Sequence, residues 1–110
     1  MWSGPASLYV LIALASGSQH GLGIADNVSD FTEGRVLLGP GTLYRVLKDL
    51  STEGLIERVD PPAEEDPRRK CYAITDAGRS ELSNAFGELS LVHAAASRRL
   101  GRPAAAGGRA

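Results

Sequence analysis

One short segment near the middle of the chain, residues 40–53, carries side chains able to contact nucleic acid. At about 100° per residue in a helix, Thr42, Arg45 and Lys48 project from one side, together with Asp49 and Thr52. Arginine and lysine neutralise phosphates or donate hydrogen bonds to guanine, and threonine contacts base edges or thymine methyl groups. The same pattern also occurs on ordinary solvated helix surfaces, so the neighbouring elements must decide between these interpretations.

Residues at both ends of this segment indicate where the helix begins and ends. Gly39 is an acceptable N-cap, and Pro40 suits the first helical position. Gly54 suits the left-handed residue that follows a helix, and Leu55 can then fold back on Leu50 in a Schellman motif. The sequence therefore predicts a helix with firm boundaries.

The opposite side of the same helix is an apolar stripe that anchors it. The stripe consists of Leu43, Val46, Leu47 and Leu50. Full burial of each aliphatic side chain contributes roughly 1.5–3 kcal/mol. Tyr44 lies at the border, where its ring can pack inward while its hydroxyl group contacts a phosphate. Gly41 allows close approach of the backbone.

A predicted β-hairpin follows the helix and supplies more cations. The stretches LIERVD and KCYAIT are expected to be strands, joined by the proline-rich loop PPAEEDPRR. The loop ends in Arg68, Arg69 and Lys70, after the acids Glu64, Glu65 and Asp66. A helix followed by a hairpin is the order of a winged helix-turn-helix, in which the wing contacts DNA backbone. We expect the three cations to face phosphate and the acids to turn aside.

The remaining elements complete a fold that is mostly α with a small β-hairpin wing. Residues 6–16 and 21–31 are predicted helices, and residues 35–38 a short strand. Thr75 is a good N-cap for a last helix. We assign residues 1–75 to a winged helix-turn-helix DNA-binding domain, 76–101 to a C-terminal dimerisation helix and 102–110 to a disordered tail.

The last helix carries a heptad-like apolar seam suited to a partner helix. The seam is formed by Leu82, Phe86, Leu89, Val92, His93, Ala96 and Leu100. The helix could instead fold back on its own domain, as its early part is expected to do. Because its later half extends beyond what a small domain covers, we favour a homodimer.

Composition and charge limit the functional classes to which the protein can belong. The chain of 110 residues has 12 Lys or Arg and 13 Asp or Glu, so its net charge is −1, which counts mildly against nucleic-acid binding. His20, His93 and the single Cys71 match no metal-binding spacing, and no nucleophile or phosphate-loop motif appears. The apolar run 8–15 is too short to span a bilayer. We expect a cytoplasmic protein that is not an enzyme and needs no cofactor or metal.

Three stretches resemble the PadR family of bacterial transcriptional regulators. They are GPGTLYRVLKDLSTEGLIERV, DPRRKCYAITDAGRSEL and, more weakly, HGLGIADNV. The resemblance implies a homodimeric winged-helix repressor that binds a pseudo-palindromic operator and is often released by a small molecule. It places on the DNA side Pro40, Gly41, Thr42, Tyr44, Arg45 and Lys48. The chain departs from the family pattern at Leu22 and Cys71, where tyrosine is common.

The main interpretation is a DNA-binding repressor, and the sequence leaves two alternatives to it. One is a winged-helix module for protein–protein contact, with the acidic loop docking on a basic partner. The other keeps DNA binding but adds a ligand pocket between the last helix and residues 8–15, which an apolar cavity there would support.

Overall fold

The computed structural model describes residues 5–101, and within them four helices accompany a small antiparallel sheet. In chain order the elements are α1 (Pro5–Ala15), β1 (Gln19–His20), α2 (Gly21–Phe31), α3 (Pro40–Thr52), β2 (Ile56–Val59), β3 (Cys71–Ile74) and α4 (Asp76–Arg99). This architecture confirms the predicted winged helix with a C-terminal helix. The expected disordered tail, residues 102–110, lies outside the described residues.

The boundaries of α3 follow from the residues predicted to set them. Gly39 is extended, with φ −70° and ψ 162°, and its carbonyl accepts from the Leu43 N–H at 2.9 Å. Gly54 has φ 77°, the left-handed conformation. The Leu55 N–H donates to the Leu50 carbonyl at 3.0 Å, which closes the predicted Schellman motif.

The apolar stripe of α3 forms the centre of the core. Leu43, Val46, Leu47 and Leu50 are each at most 2% exposed. The core cluster also includes side chains from the first two helices, among them Leu11, Leu14, Ile24 and Val28. Since four buried side chains hold α3, its opposite face has a fixed orientation.

The sheet differs from the prediction at one strand. Its order is β1-β3-β2, with β3 in the centre and His20 paired with Cys71. The predicted strand at residues 35–38 is wrong, because this segment is a loop in the structure. Its Val36 N–H donates to Thr32 Oγ1 at 3.1 Å, and Val36 and Leu38 pack half-buried against the core. Burial rather than strand pairing therefore explains two of its apolar side chains, Val36 and Leu38, whereas Leu37 is 76% exposed.

The start of α4 is fixed to the turn after α3. Thr75 Oγ1 accepts from the Gly78 N–H at 3.1 Å, as predicted for an N-cap, and donates to the Gly54 carbonyl at 2.7 Å. The Thr75 N–H donates to the Leu55 carbonyl at 3.0 Å. These bonds position the last helix relative to α3 and the wing.

None of the four helices is a candidate membrane span. Within residues 5–101, no helix combines the length and apolar character that crossing a bilayer requires.

Candidate nucleic-acid interface

The outer face of α3 presents the predicted polar side chains to solvent. Thr42, Arg45 and Lys48 are all exposed. The Arg45 guanidinium lies 3.7 Å from the Asp49 carboxylate, one helical turn further on. Both side chains remain largely exposed, so this ion pair is weak and can be exchanged for another anion.

The start of α3 is open to a close approach. Pro40 and Gly41 are exposed, and no other atom lies within 4 Å of a Cβ built on Gly41. A ligand can therefore reach the backbone at this end of the helix.

Tyr44 lies across the start of α2 and is 53% exposed. A Cβ built on Gly21 would lie 3.1 Å from the Tyr44 hydroxyl oxygen and 3.5 Å from its Cε1. The absence of a side chain at Gly21 thus leaves room for the tyrosine ring. The sequence analysis placed Gly21 in a predicted helix and missed this contact.

The wing base carries Arg68, Arg69 and Lys70, all exposed. Asp66 does not turn aside as expected. Its Oδ1 accepts from Arg68 Nε at 3.2 Å and its Oδ2 accepts from the Arg68 terminal nitrogen at 3.1 Å. The Arg68 guanidinium and backbone N–H hold the pKa of the Asp66 carboxyl below its ordinary value. This carboxylate therefore stays ionised at neutral pH and competes for Arg68.

His20 joins the start of α2 to the wing. Its Nε2 lies 2.7 Å from a terminal nitrogen of Arg69, and its Nδ1 lies 3.2 Å from the backbone nitrogen of Gly23. His20 occupies the N-cap position of α2, with this second contact in capping geometry. The available sequence signal was a polar residue directly before a glycine-rich helix start.

These elements surround one groove with a volume of about 470 Å³. Its lining consists of His20, Gly21, Leu22, Tyr44, Arg68, Arg69 and Lys70. The structure thus brings together four residues of the predicted interface. The exposed α3 residues Thr42, Arg45 and Lys48 lie outside this lining. Within the part of the chain that is described, the groove lining contains three cations and no carboxylate.

The later part of α4 exposes most of the predicted seam. Leu82 packs against the core, whereas Phe86 is 68% exposed. The other exposed or half-buried members are Leu89, Val92, His93, Ala96 and Leu100. The early part of the helix therefore folds onto its own domain, as expected, and most of the remaining seam faces solvent in the single chain.

An apolar cavity of about 430 Å³ lies between α1 and α4. Leu8 and Ile12 line it from α1, and Leu82, Phe86 and Leu89 line it from α4. It occupies the place where a ligand pocket was considered from the sequence.

Metal chemistry receives no support from the described residues. No group of three or more His, Cys, Asp or Glu side chains within residues 5–101 is arranged to hold a metal ion. Cys71 is buried, and burial raises the pKa of its thiol, which keeps it protonated.

Comparison with known proteins assigns the chain to a family. The model of the PadR-like family of transcriptional regulators matches residues 10–84. An uncharacterised 37.1-kDa protein in transposon Tn4556 of Streptomyces fradiae is 37% identical over 82 residues, which cover 74% of this chain but only 22% of that protein. The chain thus spans about a fifth of the length of this curated relative.

Solved structures agree with this assignment. A transcriptional regulator from Clostridium thermocellum is 25% identical, with a TM-score of 0.72 over 84% of this chain and 89% of that one. A PadR family regulator from Clostridium difficile, 24% identical, superposes with a TM-score of 0.75 over 88% and 99% of the two chains. A PadR-like regulator from Bacillus cereus, 22% identical, gives 0.74 over 86% and 90%. The last two similarities concern the fold, and together with the family match they show that the chain belongs to the PadR-like transcriptional regulators.

Proposed function

We propose that the protein is a DNA-binding repressor that acts as a homodimer on a pseudo-palindromic operator. The observation that carries this proposal is that exposed cations occur both on the outer side of α3 and around the groove that Tyr44 of α3 shares with the wing base. Arg45 and Lys48 lie on the exposed side of α3, and Arg68, Arg69 and Lys70 lie around the neighbouring groove. A helix and a wing presented in this way suit the major groove and the adjacent backbone of one duplex.

Each side chain takes a role that its position allows. Thr42 and Arg45, with the open backbone at Pro40 and Gly41, approach base edges. Lys48 approaches a phosphate from α3. Tyr44, Arg68, Arg69 and Lys70 contact phosphates from the groove. In this proposal residues 1–75 supply the DNA-binding domain.

The homodimer is proposed from the exposed seam of the C-terminal dimerisation segment, residues 76–101, which contains α4. Phe86, Leu89 and Val92 form an apolar surface that a second copy would cover. Two α3 helices placed about 34–36 Å apart would read two half-sites, so the modest contacts of each protomer add up. A bound dimer would repress by occupying promoter DNA.

The apolar cavity between α1 and α4 supports a small-molecule effector. It is lined by Leu82 and Phe86, which belong to the same seam. A flat apolar ligand there would change how the two copies pack, and hence the spacing of the α3 helices. In the competing role as a protein-binding module, the acidic loop would dock on a basic partner, which would have to replace Arg68 at Asp66.

The test begins with selection of duplexes from a random pool, followed by fluorescence anisotropy with the selected site. If Arg45 reads a guanine, Arg45→Ala should weaken binding by about 1–3 kcal/mol and relax specificity at one position. Arg98→Ala is the matched control, since Arg98 lies in the last turn of α4 and its loss removes the same charge. Equal affinities for wild type, Arg45→Ala and Arg98→Ala would refute the assignment of Arg45.

A further inference from the structure

We propose that His20 and Arg69 form a binding site for one DNA backbone phosphate, and that His20 changes tautomer when the phosphate binds. The site is the groove between the start of α2, Tyr44 and the wing base. This inference rests on the proposed DNA binding and adds His20, a residue outside the predicted interface.

The hydrogen-bond geometry at His20 is the starting point. Arg69 only donates hydrogen bonds, and its terminal nitrogen lies 2.7 Å from Nε2. The Gly23 N–H is also a donor and points at Nδ1, 3.2 Å away. A neutral imidazole has one bare nitrogen, so it accepts from one of these donors at a time. The ring therefore has two mutually exclusive arrangements.

We assign the arrangement of the free protein from the shorter contact, in which Nε2 lies 2.7 Å from Arg69. With Nε2 bare, His20 accepts from Arg69, and Nδ1–H faces the Gly23 amide without a bond. With Nδ1 bare, the ring caps α2, but Nε2–H then points at an Arg69 donor 2.7 Å away. This second arrangement requires Arg69 to move away from the ring, toward another acceptor.

A phosphate in the groove is the acceptor that satisfies every donor. Arg69 turns from the imidazole to a phosphate oxygen, the proton of His20 moves from Nδ1 to Nε2 by exchange with water, and Nε2–H donates to the same phosphate. Nδ1 then accepts from Gly23 and caps α2. No proton is gained or lost overall in this exchange.

The charged groups around the ring suit an anion. From the wing, His20 faces Arg69, with Arg68 and Lys70 in the same groove lining, and from α3 the Tyr44 side chain lies in that lining. Asp66, an acid of the wing loop, binds Arg68. The surroundings of the ring are therefore rich in positive charge, which suits a phosphate.

Long-range ¹H–¹⁵N NMR of the full chain reports the tautomer directly. The sequence contains two histidines, so His93 on α4 serves as an internal reference. The expected result is an Nδ1–H tautomer for His20 in the free protein and an Nε2–H tautomer with the selected duplex, with His93 unchanged. The same tautomer in both states, or an imidazolium in the complex, overturns the proposal.

Two variants separate phosphate binding from capping. In His20→Asn, the oxygen of the introduced amide takes the place of Nδ1 and caps α2 already in the free protein, but nothing reaches the phosphate. In His20→Gln, the longer amide reaches the position of Nε2 but caps poorly, as the free wild-type ring does. We expect His20→Asn to have a urea midpoint no lower than that of wild type and to lose on the order of tenfold in DNA affinity. We expect His20→Gln to keep both its affinity and its urea midpoint.

A lower urea midpoint with unchanged DNA affinity in either variant, or equal losses in both measurements for both variants, reduces His20 to a structural residue. The salt dependence adds a further readout, since a neutral donor leaves the log–log slope unchanged whereas Arg69→Ala lowers it by about one. A tautomer change caused by inorganic phosphate at matched ionic strength, and not by the duplex, assigns the site to free phosphate and overturns the backbone assignment.

Failure of this site and failure of DNA binding give different results. If the wild-type protein binds the selected duplex but the tautomer of His20 does not change, only the His20 site is overturned. Absence of binding to any duplex at low salt overturns the proposed function, and this inference with it.

Discussion

Substituting Gly78 tests how tightly α4 is fixed to the rest of the fold. A Cβ built on Gly78 would overlap the Leu55 carbonyl oxygen and lie 2.7 Å from Ile74 Cγ1. The first neighbour is backbone, which cannot rotate away as a side chain can. In Gly78→Ala, the start of α4 must therefore move away from the turn that follows α3.

The cost can be estimated from the contacts that this movement breaks. The Thr75 N–H bond to Leu55 and the Thr75 hydroxyl bond to Gly54 cross the same contact, and each contributes about 1 kcal/mol. Overpacking adds about 1–3 kcal/mol. The better helix propensity of alanine returns up to about 1 kcal/mol. We expect a net loss of about 3 kcal/mol, or a decrease in Tm of roughly 10–20 °C.

Gly87 provides the matched control on the same helix. It is exposed, and no atom lies within 4 Å of a Cβ built there. Gly87→Ala should therefore stabilise the protein by about 0.5–1 kcal/mol. Urea unfolding followed by circular dichroism, at one fixed protein concentration because of the proposed dimer, measures both variants. A Gly78→Ala protein as stable as Gly87→Ala would show that the close approach to Leu55 is wrong.

Two further predictions concern the proposed dimer and the wing. Phe86→Glu should give a monomer in sedimentation velocity, because it places a charge in the seam. The control Leu91→Glu should remain a dimer, since Leu91 is 74% exposed and lies outside the seam. If both variants are dimers, the seam is not the dimer interface. Asp66→Asn should free Arg68, raise DNA affinity several-fold and steepen the log–log salt slope by up to about one. An unchanged slope in anisotropy titrations at several salt concentrations would show that Arg68 does not reach phosphate.

Features set by neighbouring residues in the sequence were predictable. The ends of α3 depend on Gly39, Pro40 and Gly54, whose backbone preferences act locally. The N-cap at Thr75 is equally local. The buried stripe of α3 followed from helical periodicity, because four aliphatic residues share one side.

The sheet shows where local reasoning failed. The segment 35–38 is apolar and resembles a strand, yet it lies as a loop against the core. The real third strand contains two polar residues, Gln19 and His20, and exists because they pair with Tyr72 and Cys71. No local pattern distinguishes such a strand, since its hydrogen bonds depend on a partner that is distant in the sequence.

The candidate site likewise has features that the local sequence predicts and features that it does not. The outward direction of Arg45 and Lys48 followed from the periodicity of one helix. The contacts of Tyr44 with Gly21 and of Arg69 with His20 join separate elements, so they required the packed structure. A glycine without a turn to explain it, and a polar residue before a weak helix, were the signals available for these contacts.

The near-neutral net charge agrees with the proposed DNA binding once the acids on the same surface are considered. Asp49 lies 3.7 Å from Arg45, and Asp66 lies 3.1 Å from Arg68. Each pair is exposed and therefore weak, so a phosphate can replace the carboxylate at little cost. Until that exchange occurs, both arginines attract a duplex less strongly at long range. The two ion pairs therefore lower the affinity for DNA of any sequence. The remaining affinity comes from the contacts that form when α3 and the wing fit the same DNA site together.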